Sequence, residues 1–132
     1  MKPQIATTID QSQCLIACGV NPDSADMAWK EDLTSIRLEV LNHPWIENLQ
    51  NLHYSPAWSL SALLELMPSP IYDEHRKQFT FRLLPTCGNK AWVCEYDGHS
   101  TCLYQSNGAE SIEAVVRMIE TLMFHGYTLN TK

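Results

Sequence analysis

The chain has 132 residues, of which 45% are hydrophobic and 18% charged, and its formal net charge is −6. These values predict one folded domain over residues 1–132 rather than a disordered chain. The acidic balance argues against nonspecific binding to nucleic acid or anionic lipid, since both need a basic surface. No stretch resembles an export signal or a transmembrane helix, so we expect a cytoplasmic protein with no membrane partner.

The five cysteines fit a reducing compartment, where an odd number favours free thiols over disulfides. Structural zinc sites usually contain pairs of closely spaced cysteines in tight turns. Cys14 and Cys18 approach that spacing, but they lie in a predicted helix. We therefore expect no metal ligands and no cofactor.

The first predicted element is a helix over Thr8–Cys18. Thr8 and Gln11 have the spacing of a capping box, in which each side chain satisfies an orphan backbone donor. Gly19 stands where a residue of left-handed conformation commonly ends a helix.

The next segments carry weaker signals. Asn21–Ser24 predicts a turn because its proline, amide and hydroxyl side chains all favour one, and Ala25–Trp29 follows as a short helical turn. Ile36–Val40 alternates apolar and charged residues, although a helical period also fits this region. We favour a strand because β-branched residues are frequent there. His43–Trp45 then breaks the pattern.

The most apolar stretch is Pro56–Pro68, which predicts a central helix buried on several sides. Ser55 is the expected N-cap, and Pro56 suits the first helical position because its missing N–H has no partner there. Pro68 ends the helix because a proline ring cannot continue the hydrogen-bond ladder. Its principal apolar face contains Leu60, Leu63, Leu64 and Met67.

Three strands are predicted after this helix, at Phe79–Leu83, Ala91–Tyr96 and Thr101–Gln105. Gly88-Asn89 supplies the first tight connection and Asp97-Gly98 the second. Strands joined by such short turns form an antiparallel meander.

The last predicted element is an amphipathic helix from Ile112 to about His125. Ser111 is its expected N-cap, Glu113 and Arg117 form an i, i+4 ion pair, and Gly126 follows its end. Together the elements predict an α+β fold in which about three helices pack on a three- to four-stranded antiparallel sheet.

Large aromatic side chains are concentrated in the second half of the meander. Alternation places Trp92, Cys94 and Tyr96 on one face of a strand, and Tyr104 joins them from the next strand. We favour the interpretation that this face is the core beneath the helices. The alternative is a partner-facing surface made by Trp92, Tyr96, Tyr104 and Trp58, because Trp and Tyr are enriched at binding hot spots.

One set of residues permits a catalytic hypothesis. Cys94, Asp97 and His99 are close in sequence, and a cysteine nucleophile needs a base within hydrogen-bond reach. His99 follows a turn signal, however, where side chains are usually exposed. We predict no catalytic residues, and a cysteine-dependent or metal-assisted hydrolase stays the alternative function.

Four segments resemble a family of small uncharacterised proteins of gut anaerobic bacteria and their phages or mobile elements. They are Gln11-Ser12, Ser24–Met27, Pro56–Leu66 (PAWSLSALLEL) and Glu113–Val116, of which the third is the most specific. The resemblance implies a standalone domain that acts on a host or phage protein, and it implies no catalytic residue. We therefore expect a non-enzymatic protein-binding or regulatory module whose partner is another protein or a second copy of itself.

Overall fold

A computed structural model of the protein describes residues 4–41, 53–86 and 91–130. The α-helices are α1 (Ile9–Ala17), α2 (Leu60–Leu66) and α3 (Ser111–Phe124), and a 3-10 turn covers Pro22–Ser24. The strands are β1 (Met27–Glu31), β2 (Ile36–Val40), β3 (Tyr54–Ala57), β4 (Ile71–Tyr72), β5 (Gln78–Pro85), β6 (Trp92–Gly98) and β7 (Thr101–Gly108). They form two antiparallel sheets, with strand orders β2-β1-β3 and β4-β5-β6-β7. The predicted α+β class is confirmed.

Helix α1 agrees with its prediction to within one residue at each end. The Thr8 side chain accepts a hydrogen bond from the Gln11 N–H, and the Gln11 side chain accepts one from the Thr8 N–H. Gly19, just after the helix, has a φ of +110°. Both ends of this helix are therefore specified by side chains that lie next to them in the sequence.

The three-stranded sheet contains one confirmed strand and two that the sequence pattern missed. Ile36–Val40 is β2, as predicted. The helical turn predicted over Ala25–Trp29 is wrong, because the helical turn is at Pro22–Ser24 and Met27 begins β1. Strand β1 is central: it pairs with β2 across a short hairpin and with β3, which lies far along the chain, beyond the reach of local periodicity.

The start of the central helix also differs from the prediction. Its N-cap is Ser59, whose side chain accepts a hydrogen bond from the Ala62 N–H, and not Ser55. Ser55 and Pro56 belong to β3, where an edge strand tolerates a residue without an N–H. The helix ends at Leu66, before the prolines, as expected.

The core lies between the helices and the inner face of the four-stranded sheet. Helix α2 buries Ala62, Leu63 and Leu66, so the prediction that the remainder of the chain covers it is confirmed for this face. Leu64, which belongs to the predicted apolar face, is instead exposed. Helix α3 contributes the largest set of buried residues, which comprises Ile112, Ala114, Val115, Val116, Met118, Ile119 and Leu122.

The β5-β6-β7 meander is present, but its second turn is displaced. Gly98 pairs with Thr101 and still belongs to β6, so the turn is at His99-Ser100 rather than Asp97-Gly98. A register shift after Tyr96 interrupts the pairing with β7. The predicted connection at Gly88-Asn89 lies outside the described residues.

Helix α3 confirms most of its prediction. The Glu113–Arg117 ion pair has a length of 2.9 Å, and Gly126 has a φ of +82° just beyond the helix. The N-cap is Glu110 and not Ser111, which is the first helical residue. Among the residues that the structure describes, no helix has the length and apolar character needed to cross a bilayer.

Candidate interaction surface

Two of the four aromatic residues assigned to a partner-facing surface are in the core. The Trp58 side chain is fully buried, and its indole N–H donates a hydrogen bond of 2.9 Å to the Ser24 hydroxyl. Tyr96 is also fully buried, and its hydroxyl donates a hydrogen bond of 2.8 Å to the Pro68 carbonyl. Neither side chain can contact a partner in the folded chain, so the partner-facing interpretation is wrong for both.

The other two aromatic residues, Trp92 and Tyr104, are partly buried and pack against the core. The Tyr104 ring stacks on His125 with a centroid distance of 4.7 Å and meets Tyr127 edge-on at 5.9 Å. Burial is the main cause that raises the pKa of Tyr104 to about 12, and a hydrogen bond with Tyr127 acts in the same direction. The aromatic face of the meander therefore serves mainly to pack the helices on the sheet.

The alternative catalytic set is not brought together. The Cys94 thiol is buried in the core, and burial raises its pKa to about 12 although a hydrogen bond with Ser106 opposes this. Side chains alternate along β6, so Asp97 and Cys94 lie on opposite faces of the strand. The Asp97 carboxylate is 3.5 Å from Arg82 on its own face. His99 is exposed in the turn. No base therefore reaches the Cys94 sulfur from this set.

A metal ion would need several ligating side chains close together, and a small molecule would need a cleft. Within residues 4–41, 53–86 and 91–130, no group of three His, Cys, Asp or Glu side chains could hold a metal ion. A cleft of about 300 Å³ lies between the turn after α1 and the chain after α3. Asn130 lines it, but the Asn130 amide already donates to the Glu65 and Met67 carbonyls at the end of α2. Cys87 lies outside the described residues.

A different surface is exposed on the hairpin formed by β1 and β2. Ile36 and Val40 retain 56% and 68% of their accessible surface, and Leu33 in the hairpin turn is fully exposed. Because side chains alternate along a strand, Ile36, Leu38 and Val40 share one face of β2, and Leu38 between the two exposed residues is half-buried. We call these three residues the hairpin face. Apolar residues exposed together on one element are typical of a binding surface.

The opposite face of β2 is charged. The Arg37 guanidinium lies 3.2 Å from the Asp32 carboxylate and 3.8 Å from that of Glu39. All three side chains are well exposed, so these ion pairs contribute little to stability. Along β2, a positive residue (Arg37) and a negative residue (Glu39) therefore alternate with the three apolar residues.

The backbone of β2 offers hydrogen-bonding groups along one edge. Within the described part of the chain, β1 is the one strand that pairs with β2. Hydrogen bonds from Leu41 N–H to the Asp26 carbonyl and from Asp32 N–H to the Ser35 carbonyl fix which residues face β1. In an antiparallel ladder this direction alternates, so Arg37 and Glu39 bond to β1. The backbone N–H and C=O groups of Ile36, Leu38 and Val40 therefore point away from β1.

The sequence predicted this strand, but it did not predict that its apolar side is exposed. Alternation of apolar and charged residues is equally typical of a strand with one buried face, so no signal in the sequence distinguishes the two cases.

Comparisons with protein-family models, with curated protein sequences and with solved structures find no match for this chain. The resemblance carried by PAWSLSALLEL therefore stays a prediction.

Proposed function

We propose that this protein is a small non-enzymatic protein-binding module that binds an extended segment of another polypeptide along β2. The observation that carries the proposal is that one strand combines the hairpin face, in which Ile36 and Val40 are exposed, with outward-pointing backbone groups of the same three residues. Because the sequence resembles proteins of gut anaerobic bacteria and their phages or mobile elements, we further propose that it is a cytoplasmic protein of a phage or mobile element.

Strand addition uses both features of β2. An incoming strand satisfies the N–H and C=O groups of Ile36, Leu38 and Val40, which supplies affinity with little dependence on sequence. Its alternate side chains then pack beside the hairpin face, which removes apolar surface from water and selects apolar residues in the partner.

The test is to select binding peptides from a random peptide library and to measure their affinity for matched variants. We expect Ile36→Lys/Val40→Lys to weaken binding by about tenfold or more, since the apolar contact is lost. Ile5→Lys is the control, because Ile5 retains 66% of its accessible surface but lies outside the hairpin. Peptides that bind both variants equally would contradict the proposal.

A proline substitution tests the backbone component separately. The Leu38 N–H points away from β1, so Leu38→Pro removes a donor to the partner without removing a hydrogen bond of the hairpin. We expect an unchanged circular dichroism spectrum together with loss of peptide binding. Hydrogen exchange of the wild type should show the amides of Ile36, Leu38 and Val40 becoming protected when peptide binds. If these amides exchange at the same rate with and without peptide, the edge of β2 is not the binding site.

A further inference from the structure

We infer that the partner of β2 is a second copy of this chain, whose own β2 adds in antiparallel orientation about a two-fold axis through Leu38. The inference rests on the proposed function, because it requires the edge of β2 to accept a strand. The three-stranded sheets of the two copies then join into one six-stranded sheet with the order β3-β1-β2-β2-β1-β3.

The sequence of β2, IRLEV, is self-complementary in this register. With Leu38 opposite Leu38 of the second copy, Ile36 lies opposite Val40 and Arg37 lies opposite Glu39. Both relationships occur twice, as an isologous interface requires. The hairpin faces of the two copies join into one apolar strip of six residues, and each charged side chain meets the opposite charge.

The backbone is compatible with this register. Two residues can form backbone hydrogen bonds across the new edge only if their N–H and C=O groups point away from β1. Those of Ile36, Leu38 and Val40 do so. Centring on Leu38 makes these residues the hydrogen-bonded pairs. Arg37 and Glu39 then form the non-hydrogen-bonded pairs, in which side chains lie closest together.

Neighbouring registers are disfavoured by charge. A two-fold axis at Arg37 would place the two Arg37 side chains directly opposite each other, and an axis at Glu39 would do the same for Glu39. Like charges directly opposite destabilise a strand pair. Among these three registers, all of which the backbone permits, the charged face of β2 therefore favours the one centred on Leu38.

The test uses two charge reversals, each made alone and then mixed. In Arg37→Glu, both charged positions of β2 are acidic, and in Glu39→Arg both are basic. We expect the wild type to form a two-chain particle in sedimentation equilibrium, and each single variant to associate about tenfold more weakly or worse. A mixture of the two variants should form a heterodimer, detected by native mass spectrometry, because every charged position then faces its opposite.

The mixture separates an interface role from a structural one. Each reversal also disturbs the ion pairs of Arg37 within its own chain, but mixing restores none of those. Failure of the mixture to associate, or undiminished dimers of either single variant, would overturn the inference. A monomeric wild type that still binds selected peptides at β2 would overturn self-association and leave the proposed function intact. A monomer whose β2 binds no peptide would overturn both.

Discussion

The indole N–H of Trp58 donates its hydrogen bond to the hydroxyl of Ser24, a residue 34 positions earlier in the chain, inside the core. The Ser24 hydroxyl in turn donates to the Asn21 carbonyl at 2.7 Å. The backbone of Trp58 also exchanges hydrogen bonds with Thr7, at 2.9 and 3.0 Å. Trp58 therefore joins the N-terminal segment and the turn before β1 to the start of α2.

Removal of the indole donor should destabilise the protein more than loss of volume alone. Trp58→Phe keeps an aromatic ring in the core, but the Ser24 hydroxyl loses a buried partner. We expect the free energy of unfolding, measured by urea denaturation, to fall by about 1–3 kcal/mol. Ser24→Ala should also destabilise, since the indole N–H is then buried without an acceptor. The double variant removes both the indole N–H and the hydroxyl, so neither is left buried without its partner. Its loss of stability should therefore be smaller than the sum of the two single losses. Additive costs would show that the two groups are not coupled.

Stability should decline at alkaline pH because of the Cys94 thiol. Burial raises its pKa from 9.0 to about 12 in the folded chain, so the folded state keeps its proton where the unfolded state has lost it. The contribution is fully present below pH 9 and is lost as the pH rises from 9 towards 12. We expect the fall in unfolding free energy between pH 8 and about 10 to be smaller in Cys94→Ala than in the wild type.

A second substitution controls for packing at Cys94. Cys94→Val differs from Cys94→Ala in the volume it places in the core, but both lack the thiol. The two variants should therefore differ in stability at neutral pH and share the flatter pH dependence. A wild-type slope in both variants would show that other groups cause the alkaline decline.

Gly108 and Gly126 should respond differently to substitution. A Cβ atom at Gly108 would lie 2.6 Å from the Ala114 backbone nitrogen, whereas nothing lies within 4 Å of one at Gly126. Gly108→Ala therefore forces the start of α3 away from β7, and we expect a loss of about 1–3 kcal/mol in thermal or urea unfolding. Gly126→Ala is strained instead by the φ of +82°, at a cost of about 1–2 kcal/mol.

Asparagine substitutions distinguish these two causes. Asparagine tolerates the left-handed conformation better than alanine does, so Gly126→Asn should be more stable than Gly126→Ala. At Gly108 the larger side chain adds to the steric conflict, and Gly108→Asn should be no better than Gly108→Ala. Recovery of stability by asparagine at Gly108 would show that the backbone there adapts.

The elements that could be predicted are those whose determinants lie close together in the chain. Helix α1 has its capping box and final glycine within the segment from Thr8 to Gly19, and α3 has an apolar stripe along its length. The β5-β6-β7 meander follows from short alternating segments with turn residues between them. In each case the local sequence and the tertiary structure favour the same conformation.

Strands β1 and β3 could not be predicted because pairing with each other, between distant parts of the chain, places them in one sheet. Trp29 pairs with Ser55, which lies far along the chain, and no local period encodes that relationship. Pro56 has the same chemistry whether it begins a helix or lies in an edge strand. The hairpin face was predicted as strand, but its exposure depends on which elements pack nearby, and that is decided by the whole fold.

The Asp26 carboxylate provides a final test of how these distant segments are joined. Its oxygens accept hydrogen bonds from the N–H and the hydroxyl of Ser59, the N-cap of α2. Asp26→Asn replaces one of these acceptors with an NH₂ group that cannot accept. We expect a loss of about 1–3 kcal/mol in unfolding free energy by urea denaturation. Asp23→Asn, at an exposed position in the preceding turn, is the matched control and should stay within about 0.5 kcal/mol of the wild type. Equal stability of the two variants would mean that the carboxylate is not needed to hold α2 against the start of β1.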